Sequence, residues 1–341
     1  MTKNQFKTDA ERYLAEIKGN YKDSTYDEKR RKLIFYSNIL YRLHQEGKIS
    51  SCNPKTLTKE DINAYVVFRR RSGVKDSTIR KDLSNISELL TYVGNDAMKV
   101  YRVTYGNMRP RSYNGKLDPL PDEVIDRVYA LARETKEWKV LQGCVAVILG
   151  CAAGLRPQES KQLYVGDVHH LDPQPYIYVR HVKGEGTWGR ARKVPLNDGV
   201  GDIIQKYLVM RQRKLERKGI ASDAMFPPMR SGREFVTQQS MSRFKRIVEE
   251  ALGESFVLKD GRRAYGQRML DRGVPIDYVS YCMGHDSIET TQKFYASYRD
   301  KMVLSEVHQI LSGGTAPRWE TVTAWVHRKN VWTHSLPKCP K

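Results

Sequence analysis

Apolar residues in the first 94 positions recur at helical spacing. One set is Leu33, Ile34, Tyr36, Ile39, Leu40 and Leu43, and another is Ile79, Leu83, Ile86, Leu89, Leu90 and Val93. Each set repeats every three to four residues, which places its side chains on one face of an amphipathic helix. The pattern predicts helices over 26–46, 59–71 and 76–93. Asp76 and Ser77 are expected to cap the last of these, and Gly94 to end it.

The rest of the chain combines helical periodicity with one short region of alternation. Helices are predicted over 121–133 and 138–153, and the second is apolar enough to be a core helix. Residues 176–182 and 192–196 read as strands around Lys183-Gly184-Glu185-Gly186, which predicts a β-hairpin with this segment at its tip. The pattern after residue 200 is again mostly helical. We expect a mainly α fold with a small antiparallel sheet.

A basic stretch without periodicity separates the two halves. It contains Tyr101, Arg102, Tyr105, Gly106, Arg109, Pro110, Arg111 and Gly115, a composition typical of a linker. At 341 residues the chain is long enough for two domains with separate cores. We therefore predict a helical domain over 1–98, a linker over 99–118, a second domain over 119–312, and a basic tail with tryptophans over 313–341.

The net charge narrows the class of partner. Lysine and arginine number 59 against 39 acidic residues, which gives a formal net charge of +20. Residues 1–115 carry 23 basic and 13 acidic side chains, and residues 116–341 carry 36 and 26, so both halves have a net charge of +10. Positive charge spread through both predicted domains favours a nucleic acid as the partner, in preference to a role in solubility alone.

Several other classes of protein are disfavoured. The five cysteines are odd in number and lack metal-binding spacing. The cluster Asp167, His169, His170 and Asp172 is more typical of a surface loop than of a metal site. We find no signal peptide and no apolar run of about 18 residues, the length that a membrane helix needs. We expect a cytoplasmic, DNA-associated protein without a metal, a cofactor or a membrane partner.

Three short motifs carry the candidate chemistry. They are Gly154-Leu155-Arg156-Pro157-Gln158-Glu159, Lys259-Asp260-Gly261-Arg262, and the run from Met283 through His285 to Tyr295. The Arg156 guanidinium can fork onto two phosphate oxygens, and Glu159, one helical turn later, can orient it. A surface salt bridge is the plainer interpretation of this isolated pair. Arg262, Lys183, His285 and Tyr295 are each also compatible with an ordinary structural role when taken singly.

The order of these motifs resembles that of the tyrosine recombinase (phage-type integrase) family. The ordered set is Ala-Gly-Leu-Arg-x-x-Glu, Val-Lys-Gly followed by Arg-Lys-Val-Pro-Leu, Lys-x-x-Arg, and Met-Gly-His-x-Ser-Ile-x-Thr-Thr-x-x-x-Tyr. The resemblance covers roughly 119–311. It extends weakly to the run from Asp76 to Leu83, which looks like part of the helical core-binding domain of the family.

The resemblance implies a role for each motif residue. Arg156 and Arg262 match the two phosphate-binding arginines, and Lys259 matches a position tied to proton transfer and phosphate contact. His285 matches the residue that supports the scissile phosphate. Lys183 matches the hairpin lysine that protonates the leaving 5′-oxygen. An apolar residue usually precedes the second arginine, where this chain has Gly261.

The resemblance also implies a nucleophile. Tyr295 matches the tyrosine that forms a 3′-phosphotyrosyl link. The family usually places it nine residues after the motif histidine, a position that Phe294 holds here. Tyr295 comes one residue later, so Tyr298 remains a weaker rival.

We expect a two-domain, C-shaped DNA clamp that recombines double-stranded attachment sites as an integrase of a virus, plasmid or other mobile element. The resemblance implies a homotetramer on DNA. The residues predicted to contact DNA are Arg69, Arg70, Arg80, Lys81, Arg109 and Arg111. A type IB topoisomerase-like relaxing enzyme and a catalytically silent DNA-binding protein of the same fold are the alternatives. The tail over 313–341 is either disordered or packs onto a neighbouring subunit.

Overall fold

The structure is a computed structural model that describes residues 4–111, 118–186, 189–230, 232–292, 308, 311 and 312. The chain forms two compact units, Met1–Gly115 and Lys116–Lys341. Each unit has a hydrophobic core of its own. The fold is mainly helical with a small antiparallel sheet, as the sequence predicts.

The described part of the first unit is a helical bundle. Its elements are α1 (Gln5–Ile17), α2 (Asp23–Gln45), α3 (Lys59–Arg71), α4 (Asp76–Tyr92) and α5 (Ala97–Thr104). The bounds of α3 are those predicted, and Thr58 and Asp61 form a capping box at its start. The predicted apolar faces of α2 and α4 are buried for the most part, which confirms the helical interpretation of that pattern.

Two predictions for this unit are wrong. Residues 99–104 belong to α5 instead of an aperiodic linker, because Met98 and Tyr101 of this short helix are buried in the core. The N-cap residue of α4 is Lys75, without a side-chain cap hydrogen bond, and Asp76 is the first residue of the helix. The carboxylate of Asp76 instead accepts hydrogen bonds from Nε (2.9 Å) and Nη2 (2.8 Å) of Arg70. An ion pair from the preceding helix thus takes the place of the expected cap.

A buried carboxylate joins three helices of the first unit. Asp82 of α4 accepts hydrogen bonds from the Tyr36 hydroxyl (3.0 Å), the Tyr65 hydroxyl (3.1 Å) and Nε of Arg69 (3.1 Å). These partners lie on α2 and α3. Because a buried charge needs hydrogen-bonding partners, the network fixes the relative positions of these helices.

The second unit surrounds one apolar helix. Its elements are α6 (Asp122–Glu134), α7 (Trp138–Ala153), α8 (Pro157–Lys161), β1 (Val168–His169), β2 (Tyr176–Val179), β3 (Arg192–Pro195), α9 (Gly201–Glu216), α10 (Gln238–Leu252), α11 (Leu258–Asp271) and α12 (Ile276–Met283). Every residue of α7 from Leu141 to Ala153 is buried, which confirms the predicted core helix. Helices α6, α9, α10 and α11 pack around it. None of the helices in the described ranges is long and apolar enough to cross a membrane.

The sheet has three antiparallel strands in the order β1, β2, β3. Val168 pairs with Ile177, which pairs with Val194 on its other side. The predicted hairpin of β2 and β3 is confirmed. Strand β1 lies in the predicted surface loop around His169, because two residues are too few to show a period of two.

Glycines allow α7 and α11 to lie in close contact. A Cβ atom at Gly261 would lie 2.7 Å from Sγ of Cys151, and one at Gly150 would lie 3.6 Å from the backbone nitrogen of Arg262. This contact explains why a glycine precedes Arg262. Helix α11 can therefore approach α7 closely enough for Arg262 to reach the end of that helix.

We expect Gly261→Ala to lower the free energy of unfolding by about 1–3 kcal/mol, because the new methyl group overpacks this contact. Cys151→Ala removes the sulfur that it would meet. In a double-mutant cycle measured by denaturant unfolding, the double variant should therefore lose less stability than the sum of the single variants.

Gly166→Ala is the matched control, because its new methyl group would have no atom within 4 Å. We expect a change of at most about 0.5 kcal/mol there. Strict additivity of Gly261→Ala and Cys151→Ala would contradict the close contact.

Candidate active site

Three arginines from separate segments converge on one buried carboxylate. Arg156 lies at the start of α8, Arg192 on β3 and Arg262 on α11. Glu159 is only 3% exposed. Its oxygens lie 2.8 Å from Nη1 of Arg156, 3.0 Å from Nη2 of Arg192 and 3.7 Å from Nη1 of Arg262. The Arg156–Glu159 contact is thus part of a buried cluster, and the interpretation as a surface salt bridge is wrong.

The local sequence builds one side of this cluster. Arg156 is the N-cap residue of α8, and Pro157 takes the first helical position, where its fixed φ suits a helix start. Glu159 also accepts a hydrogen bond from the backbone nitrogen of Arg156 at 2.8 Å. The carboxylate therefore holds both the backbone and the side chain of this arginine. That arrangement is the orienting contact expected from the sequence.

The arginines also bind the end of α12. The pairs are Arg192 Nε with the carbonyl of Cys282 (2.9 Å), Arg262 Nη2 with that of Met283, and Arg156 Nη2 with that of Gly284 (2.6 Å). The last carbonyls of a helix have no partner within the helix. Three successive carbonyls are here satisfied by three different arginines, so the guanidinium groups are held in a fixed arrangement.

The cluster retains an excess of positive charge. Three arginines and one carboxylate give a formal charge of +2. Nη1 of Arg262 also binds the carbonyl of Gly154 (2.5 Å), so the cluster meets the C-terminal ends of both α7 and α12. The partial negative charge of these helix ends offsets some of the excess. The remaining positive charge of the cluster suits an anion with several oxygens, such as a phosphodiester.

His285 follows the end of α12. Gly284 has a left-handed backbone (φ +57°), which turns the chain so that His285 lies beside the cluster. Its Nδ1 lies 2.8 Å from Oγ1 of the buried Thr291. Burial, followed by the charges of Arg262, Arg156 and Arg192, lowers the pKa of His285 to about 3. The imidazole is therefore neutral at pH 7.

The two predicted lysines lie outside this hydrogen-bonded cluster. Lys259 is exposed in the first turn of α11, three residues before Arg262 and thus on a neighbouring part of the helix surface. Lys183 is exposed on the turn between β2 and β3. Tyr295, its rival Tyr298 and Phe294 lie outside the described residues.

The basic residues predicted to contact DNA divide into two groups. Arg80, Lys81, Arg109 and Arg111 are exposed, whereas Arg70 is partly buried and paired with Asp76. The side chain of Arg69 is only 11% exposed, because it binds Asp82 and its guanidinium lies 5.1 Å from the Phe35 ring centre. This environment favours a structural role for Arg69, in contrast to the sequence prediction.

Arg192 was not among the predicted site residues. In the sequence it is the first residue of a predicted strand and of the motif Arg-Lys-Val-Pro-Leu, and neither assigns it a role in the site. The alternation along the strand could have identified it, because side chains two residues apart lie on the same face of a strand. Arg192 and Val194 share the buried face of β3. A charged residue at an inward strand position requires a buried partner.

We expect Glu159→Gln to lower the free energy of unfolding at pH 7 by about 3 kcal/mol, because it leaves buried arginines without their shared charge. Burial raises the pKa of Glu159, but Arg192, Arg262 and Arg156 outweigh it and hold the pKa below the usual 4.5. The stabilisation by a carboxylate with a lowered pKa is present above that usual value and is lost as the pH falls through the folded-state pKa. The difference between variant and wild type in denaturant unfolding should therefore shrink below pH 4.5.

Glu254→Gln provides the control, since the Arg127–Glu254 pair is about half exposed. Its loss should cost less than about 1 kcal/mol. Equal costs for the two variants at pH 7 would contradict the central role of Glu159.

Comparisons with known proteins identify the family. The model of the phage integrase family matches residues 120–301, which is more than half of the chain. Tyrosine recombinase XerD of Listeria monocytogenes is 21% identical over 262 residues, which cover 75% of this chain and 83% of the relative. Tyrosine recombinase XerC of Herpetosiphon aurantiacus is 22% identical over 248 residues, covering 72% and 78%.

Solved structures share the fold. The Tn1549 transposon integrase in complex with circular intermediate DNA has a TM-score of 0.60 and 18% identity, covering 86% of this chain and 98% of that one. The XerH recombinase bound to a palindromic difH substrate has a TM-score of 0.59 and 16% identity, covering 90% and 85%. From the extent of the family match, we conclude that the chain belongs to the phage integrase family.

Proposed function

We propose that this chain is a site-specific DNA recombinase that cuts and rejoins DNA through a 3′-phosphotyrosyl intermediate on Tyr295. Its family consists of tyrosine recombinases, which cleave and rejoin DNA strands. The observation that carries the proposal is the convergence of Arg156, Arg262 and His285 around a single carboxylate. The similarity to a transposon integrase further supports an origin in a mobile element.

The arginine cluster suits attack on a phosphodiester. Negative oxygens shield the phosphorus atom, and more negative charge develops on them as a nucleophile approaches. Arg156 and Arg262 neutralise that charge through donors that are already held in place by Glu159 and by the helix ends, so little reorganisation is needed. The formal charge of +2 on the cluster attracts a substrate anion.

His285 is suited to donate a hydrogen bond to the phosphate. Its ring is neutral at pH 7, and its Nδ1 faces the Thr291 hydroxyl. When that hydroxyl donates to Nδ1, the ring carries its proton on Nε2 and can donate it to a phosphate oxygen. A bound phosphodiester would also offset the positive charges, so the pKa of His285 should rise on DNA binding.

The remaining steps are assigned to Tyr295, Lys183 and Lys259. The phenol of Tyr295 releases its proton to solvent, its oxygen attacks phosphorus, and the bond from phosphorus to the 5′-oxygen breaks. A free phenol has a pKa of about 10, so the positive site assists attack by favouring the phenolate. Lys183 donates a proton to the leaving 5′-oxygen, and Lys259 contacts the phosphate. The phosphotyrosyl bond stores the energy for rejoining, and the proposal includes neither ATP nor a metal.

The exposed basic residues of the first unit are assigned to DNA contact. They are Arg80, Lys81, Arg109 and Arg111, together with the partly buried Arg70. Arg69 is left out, because it serves the Asp82 network. We further propose that four protomers assemble on two duplex sites. Joining of two duplexes, as opposed to relaxation of one, distinguishes this function from that of a topoisomerase.

Covalent capture on a nicked suicide substrate tests the chemistry. The wild type should accumulate a protein–DNA adduct, and Tyr295→Phe should abolish it because the nucleophilic oxygen is gone. Tyr298→Phe is the matched control and should retain adduct formation. Mass spectrometry of the captured peptide identifies the modified residue. An adduct outside 295–298, or no adduct with the wild type, rejects the proposed mechanism.

DNA titrations at several salt concentrations test the assignment of the basic residues. Arg80→Ala should weaken binding of all sequences and lower the salt-dependence slope by about one, because one phosphate contact is lost. Arg69→Ala should chiefly lower the melting temperature, since it leaves Asp82 short of a charged partner. An unchanged slope in Arg80→Ala would remove that residue from the interface.

A further inference from the structure

Arg192 is the most deeply buried of the three clustered arginines. Its side chain is 3% exposed, against 8% for Arg262 and 22% for Arg156. Such a residue is poorly placed to touch DNA. Its N–H groups nevertheless bind two parts of the site, Glu159 and the end of α12. Any effect of Arg192 on the reaction must therefore act through these groups.

The guanidinium of Arg192 bridges Glu159 and the end of α12. Nη1 and Nη2 fork onto the two oxygens of Glu159 at 3.2 and 3.0 Å, and Nε donates to the carbonyl of Cys282 at 2.9 Å. Glu159 in turn holds Arg156. One planar group thereby fixes the distance between the start of α8 and the end of α12. The compact ammonium group of a lysine cannot bind both partners with this geometry.

The backbone beyond α12 lies directly against this guanidinium. A Cβ atom at Gly284 would lie 2.7 Å from Cζ of Arg192, and Gly284 has a left-handed backbone. The position of Gly284 therefore depends on the plane of Arg192. Because His285 is the next residue, that plane also sets where its imidazole lies.

We propose that Arg192 is a positioning residue for strand cleavage, which holds Arg156 and His285 on one phosphate without touching the DNA. This role rests on the proposed function, because it presupposes a phosphate in the arginine cluster. The plain alternative is that Arg192 contributes to folding stability only. An experiment can distinguish the two roles. A positioning defect slows cleavage by an amount that depends on the charge of the substrate, whereas a folding defect slows cleavage of all substrates equally.

The test compares Arg192→Lys with a matched control, Arg211→Lys. Arg211 is also buried (5% exposed), and it donates to the carbonyls of Ser222 and Ala224 instead of the cluster. Both substitutions keep a positive charge and replace a buried guanidinium by an ammonium group. Cleavage of the suicide substrate and noncovalent DNA affinity are measured well below the melting temperature of each variant.

We expect Arg192→Lys to cleave about 100-fold more slowly than wild type, because reacting groups are displaced on the ångström scale. Its DNA affinity should be unchanged, and Arg211→Lys should cleave at the wild-type rate. The slowdown should be smaller on a substrate with a neutral methylphosphonate at the scissile position. That substrate has one negative charge fewer for the arginines to stabilise, so their exact placement matters less.

Two results would overturn the positioning role alone: wild-type cleavage by folded Arg192→Lys, or the same slowdown on both substrates. If the wild type forms no adduct, the proposed function fails, and this role fails with it. If Arg192→Lys does not fold, Gly284→Ala replaces it, since the new methyl group displaces the guanidinium without removing a charge. The same dependence on substrate charge is then expected, and its absence rejects the role.

Discussion

The site depends on one buried carboxylate that three guanidinium groups share. Burying charges is costly unless each is paired, and Glu159 pairs with Arg156, Arg192 and, more distantly, Arg262. The ends of two helices supply further negative potential through backbone carbonyls. Glu159 and the helix-end carbonyls offset only part of the charge of the three arginines. The folded chain therefore keeps positive charge concentrated in one place. That residual charge is available to a bound phosphodiester.

Helix packing determines where this charge is concentrated. Gly261 lets α11 lie against α7, and the contact brings Arg262 to the carbonyl that ends α7. The nucleic-acid chemistry therefore depends on a residue without any functional group. In the first unit, Asp82 has a comparable architectural role, because it orders three helices.

The sequence predicted the features that depend on neighbouring residues. The bounds of α3 and the Arg156–Glu159 contact arise within one or two helical turns, where periodicity and spacing are informative. Arg192 was missed because its partners include Cys282, 90 residues away, which only the folded chain brings close. Helix α5 and strand β1 were too short to show a period. The roles of Tyr295, Lys183 and the DNA-contacting residues come from resemblance and stay predictions.

The use of main-chain acceptors at the end of α12 has a consequence for variation. A carbonyl oxygen is present whichever amino acid occupies the position, so substitutions of Cys282 or Met283 leave the anchoring atoms in place. Gly284 differs, because any added carbon would strike the guanidinium behind it. The side chains at the end of this helix can therefore change while its anchorage is kept, whereas the backbone can pass the guanidinium of Arg192 only where the residue has no side chain.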